Sequence, residues 1–63
     1  MKYIKKLNTH DIVVSLYDIP DIPKGSVGTV VHIYENGKAY EIEFNVNDSI
    51  IVETLLNNQI KLL

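Results

Sequence analysis

The chain has 63 residues, 46% of them hydrophobic, no cysteine and a formal net charge of −2; it makes one small domain that no disulfide or thiolate metal site can staple. A domain of this length buries only about 60% of its unfolded-chain surface, which excludes a deep substrate pocket. All six cations are lysine, and a weakly acidic chain without guanidinium forks argues against phosphate or base recognition.

Residues 1–10 hold Lys2, Lys5 and Lys6 and then a polar break at Asn8-Thr9. The expectation is a solvated, loosely attached start, with an amphipathic turn or short edge strand over residues 3–7 as the alternative. No apolar run approaches the roughly 20 residues of a membrane span, and the start lacks the apolar length of a secretory signal. A cytoplasmic protein is therefore expected. Residues 11–16, D-I-V-V-S-L, are dense enough in β-branched side chains for a first core strand, with Ile12, Val14 and Leu16 on one face.

Residues 17–24 contain Asp-Ile-Pro twice. Each proline fixes its own φ and pushes the preceding isoleucine toward extended geometry, so a stiff irregular loop is expected. Ile19 and Ile22 should cover an open end of the core; left exposed, they would join Tyr17 in a loop contact surface. Residues 24–26 then turn the chain, and Gly28 inside the following strand suggests a bulge or sharp coil.

Residues 27–44 dominate the chain. Two runs of β-branched and aromatic residues flank Asn36-Gly37, the signature of a hairpin with a type I′ turn. With those two as the loop, Glu35 pairs with Lys38, and the expected core pairs are Ile33 with Tyr40, Val31 with Ile42 and Thr29 with Phe44. The opposite face carries Tyr34 with Ala39, His32 with Glu41 and Val30 with Glu43. Turn chemistry over residues 45–48 precedes a strand at 49–54, a single helical or 3₁₀ turn within 55–59, and a short last strand at 60–63. The expected fold is all-β, a small five-stranded barrel with a one-turn 3₁₀ helix before the last strand.

This layout resembles the SH3-like barrel. D-I-V-V-S-L-Y-D-I-P, K-G-S-V-G-T-V-V-H-I-Y-E and G-K-A-Y-E-I-E-F more closely resemble an uncharacterised bacterial family of short proteins, a domain of unknown function, over about two thirds of the chain. That resemblance implies a fold and no activity. The G-S-V-G-T-V-V stretch is also similar to the KOW segment of ribosomal and transcription-factor barrels, which implies RNA binding, although such modules set basic residues around it. S-L-Y-D is similar to the A-L-Y-D start of signalling SH3 domains, but the chain has no tryptophan for a proline-peptide groove.

No constellation for chemistry emerges. His32 opposite Glu41 reads as a surface pair. Two histidines without a spacing motif make no metal site, the serines lack a nucleophile elbow, and three scattered glycines make no phosphate loop. No enzyme, cofactor or metal is expected. Tyr34, His32 and Val30, rimmed by Glu41 and Glu43, form a candidate protein-contact stripe. The function expected is a non-enzymatic module docking on another protein, such as an antidote or immunity-type partner of a neighbouring gene product. A KOW-like RNA-binding protein using Lys2, Lys5, Lys6 and Lys24 is one alternative; a homo-oligomer formed through an edge strand is the other.

Overall fold

The computed structural model describes residues 6–63. Lys2, Lys5 and most of the expected N-terminal turn or strand lie outside the described residues. The fold is all-β: β1 (Ile12–Ser15), β2 (Val27–Tyr34), β3 (Ala39–Val46), β4 (Ser49–Leu55) and β5 (Ile60–Leu62), with one 3₁₀ turn at Asn57–Gln59 before β5. The strands form one antiparallel sheet in the order β4-β3-β2-β1-β5. β1 to β4 thus meander, and β5 returns to pair with β1.

The β2–β3 hairpin keeps the expected register at its tip, where Tyr34 pairs with Ala39, Ile33 with Tyr40 and His32 with Glu41. The turn itself differs. Gly37 N–H donates to Tyr34 O at 2.9 Å, so Glu35 and Asn36 are the central pair, and positive φ runs through Glu35, Asn36 and Gly37. The loop is four residues long. The tight two-residue turn lies instead at Asn47-Asp48, both at positive φ, between the paired residues Val46 and Ser49. Asn and Asp tolerate that left-handed geometry better than other non-glycine residues.

Below His32 the expected register fails. The pairs become Val30 with Ile42, Thr29 with Glu43 and Gly28 with Phe44, because a bulge leaves Val31 without a partner. The expected inward positions of Val31 and Thr29 are therefore replaced by Val30 and Gly28. Val30 is fully buried while Val31 is 38% exposed. The bulge sits three residues from the place expected at Gly28. Its effect is to bend an eight-residue strand so that residues 27–29 serve β1 while the outer half serves β3 alone. Gly28 has a different role: a Cβ there would stand 2.6 Å from Ile42 Cγ2 and 2.8 Å from Phe44 Cδ1. Only glycine lets the Phe44 ring lie on that backbone.

β1 also turns its other face inward. Val13 and Ser15 are buried, whereas Ile12 is exposed and Val14 and Leu16 are half-buried. The apolar count favoured Ile12, Val14 and Leu16, but a serine can occupy the core when its hydroxyl is satisfied. Ser15 Oγ donates to Tyr17 O at 2.6 Å. The core then comprises Leu7, Val13, Ile22, Val30, Tyr40, Ile42, Phe44, Leu55 and Ile60.

Two covers complete it. The Asp-Ile-Pro segment is more ordered than an irregular loop, since Ile19 and Ile22 exchange backbone hydrogen bonds of 2.9 and 2.7 Å around Pro20-Asp21. Proline at the first central position and positive φ at Asp21 match a type II turn. Asp18 Oδ1 accepts Lys24 N–H at 2.8 Å and holds its base. Leu7 covers the other side, which corrects the loosely attached start at that residue. His10 N–H donates to Val30 O at 2.7 Å and Val30 N–H to Asp11 O at 2.9 Å, so the segment joins the sheet.

Candidate protein-docking face

The expected contact stripe is only partly assembled. His32 and Tyr34 are exposed and make an edge-on ring contact with centroids 4.5 Å apart. Tyr34 Oη donates to Glu41 Oε2 at 3.3 Å, across the strand pair. Glu43 is exposed and opposite Thr29. Val30 does not belong to this surface, because the bulge puts it in the core. The rings and carboxylate that remain engage one another, so the stripe already spends its polar groups internally.

The expected loop contact divides in the same way. Tyr17 is exposed, Ile19 is half-buried against the core and Ile22 is fully buried. Ile22 is thus a core residue, which is the covering role, and only Tyr17 offers a free ring.

Further exposed apolar residues lie on the outer face of the sheet, where the sequence reading placed no site. This follows from the two corrections above. Turning Val13 and Ser15 inward turns Ile12 and Val14 outward, and the register fixes their neighbours. Ile12 stands opposite Thr29, Thr29 opposite Glu43, and Glu43 opposite Val52. One step along, Val14 stands between Lys61 and Val27, and Ile50 opposite Asn45. Ile12, Val27, Ile50, Val52 and Leu63 are all exposed, Ile50 at 68%. The exposed apolar residues fall in two groups, Ile12 and Val27 on β1–β2 and Ile50 and Val52 on β4, with Glu43 and Asn45 of β3 between them.

At the β1–β5 side this face dips into a groove of about 360 Å³ between Val14, Leu16, Leu62 and Leu63, with Lys24 and Lys61 at its rim. Both lysines are exposed. The lining thus combines four apolar side chains with two lysines. The signal was in the sequence as an excess of apolar residues for so small a core. Alternation alone could not say which face of β1 would be left outside.

Among the described residues, no group of three or more histidine or acidic side chains is placed to hold a metal ion, and no helix is long and apolar enough to cross a membrane. Every buried side-chain nitrogen and oxygen among them has a hydrogen-bond partner.

Residues 9–61 match the model of a family described as Domain of unknown function (DUF4926). No curated protein and no solved structure matches the chain.

Proposed function

The chain belongs to the Domain of unknown function (DUF4926) family, with 9–61 of its residues spanned, and on that premise we propose that it is a non-enzymatic SH3-like module that docks on another protein through the outer face of its sheet. The meander, the 3₁₀ turn before β5 and the return of β5 to β1 support the SH3-like reading. The observation that carries the docking role is the apolar groove lined by Val14, Leu16, Leu62 and Leu63 with Lys24 and Lys61, beside the exposed Ile12 and Val27. The partner contributes an apolar segment flanked by carboxylates: its side chains fill the groove and its charges meet Lys24 and Lys61. A small antidote or accessory protein acting on a neighbouring gene product is the setting that fits.

The test is capture from host extract by tagged protein, run beside Val14→Asp, Lys24→Glu combined with Lys61→Glu, and Tyr34→Ala. Melting curves identify the variants that fold. One stoichiometric protein held by the parent and by Tyr34→Ala, but lost from the groove variants, supports the face. Loss only in Tyr34→Ala moves the site to the hairpin stripe. Nuclease-sensitive material, lost when Lys2, Lys5, Lys6 and Lys24 become Gln, replaces the protein-docking reading with the RNA-binding one.

A further inference from the structure

The two edges of the sheet differ in a way that bears on self-association. β5 is three residues long and carries Lys61, and short length and lysine are devices that blunt an edge. β4 has neither. Its seven residues, S-I-I-V-E-T-L, pair with β3 without a break from Val46↔Ser49 to Tyr40↔Leu55, and contain no proline, glycine or lysine. Four of them are β-branched, and Glu53 is the sole charge. The strand order ends at β4. Among the described residues, no backbone bond from a loop or turn reaches residues 49–55. Alternate N–H and C=O groups along β4 therefore point away from the sheet, with no strand beyond them among the described residues.

We propose that β4 pairs antiparallel with β4 of a second copy of this chain, across a two-fold axis at Val52. A second copy fits because the seven residues are self-complementary, with a single charge that one register keeps off its own copy. Antiparallel partners must lie on the same face, so the axis passes through a residue and not between two. An axis at Val52, the midpoint of the strand, pairs all seven residues: Val52 with its copy, Ile51 with Glu53, Ile50 with Thr54 and Ser49 with Leu55. An axis at Glu53 sets two carboxylates face to face, which disfavours it. The Val52 register thus gives the longest overlap and separates the like charges. It joins two five-stranded sheets into one, and Ile50 and Val52, 68% and 49% exposed, gain neighbours across the seam. This inference rests on the β4 backbone edge; Ile50 and Val52 also belong to the outer face, but the groove lined by Val14, Lys24 and Lys61 does not include them, so groove variants and seam variants separate the two readings.

The chain has no cysteine, which makes introduced thiols unambiguous reporters. Sedimentation of the full chain over a wide concentration range should show a dimer, and Val52→Lys should return it to monomer mass with melting retained, since Glu43 lies opposite to receive the charge. Under mild oxidation Val52→Cys should form a disulfide dimer. Ile50→Cys and Thr54→Cys should cross-link when mixed and much less when each is alone. A monomer at every concentration overturns the proposal. So does a dimer in which Val27→Cys links to its copy faster than Val52→Cys, because that is stacking of outer faces. Should Val52→Lys fail to fold, the cross-linking pattern decides by itself.

Discussion

The phenol oxygen of Tyr40 accepts the Leu7 backbone N–H at 3.4 Å and stands 2.8 Å from where a Cβ on Gly37 would be. One hydroxyl thus links the N-terminal segment to the hairpin tip and fixes which residue the loop accepts. Tyr40→Phe should cost about 1–3 kcal/mol by leaving that buried donor unpaired, toward the lower end for a bond this long, with faster hydrogen exchange at the Leu7 amide. Gly37→Ala should cost at least about 1 kcal/mol from its positive φ alone, and more from contact with the hydroxyl. In the Tyr40→Phe background the steric share should fall. A double-mutant cycle by urea unfolding measures this, and strict additivity would separate the two effects.

The bulge gives a sharp ordering of neighbours. Val30→Ala should cost about 2 kcal/mol, through lost burial and the cavity left beside Ile42. Val31→Ala should cost less than about 1 kcal/mol, as a surface change does. An unbulged ladder reverses the order, so denaturant midpoints of the two variants decide the register.

Gly28→Ala tests the close approach of strand and ring. Its Cβ would press on Ile42, Phe44 and the Glu43 carbonyl, which lies 3.0 Å away. Overpacking of this kind costs about 1–3 kcal/mol. A neutral result in thermal melting would mean that the Phe44 ring moves aside freely.

At the β3–β4 turn a gain is expected. Asp48 holds φ at 65°, and Asp48→Gly removes the Cβ penalty there and gives the preferred type I′ pair with Asn47. Stability should rise by up to about 1 kcal/mol, which moves Tm upward by several degrees in a domain this size. Calorimetry of parent and variant checks it.

Much of the architecture was legible because it rests on local chemistry. Strand periodicity, the Asn-Gly hairpin, the turn residues 47–48 and the short turn before β5 each leave a mark in a few consecutive residues. The bulge at Val31 left none. Val30 and Val31 are identical side chains, so nothing local tells which one enters the core, and the choice depends on what Gly28 and Asp11 offer across the sheet. Ser15 was hidden for a related reason: its place in the core depends on a hydroxyl bond to Tyr17 that alternation of apolar residues does not register. Both misreadings fed into the candidate site. Taking Val30 as exposed drew attention to the hairpin stripe, and taking Val14 as buried concealed the groove it lines.

The return of β5 to β1 has a kinetic consequence. The β2–β3 and β3–β4 hairpins close over short loops, an event of microseconds. Val13 pairs with Leu62 across nearly the whole length of the chain, and pairing at such distance in sequence goes with slow two-state folding. Seating of β5 on β1 is thus expected to be the slow step, and stopped-flow refolding of an Ile60→Ala variant would check it. Until it is complete, β1 presents a bare edge and Ser15 lacks Ile60 as its strand partner. The interval before seating is when molecules of this kind are most prone to stick to one another.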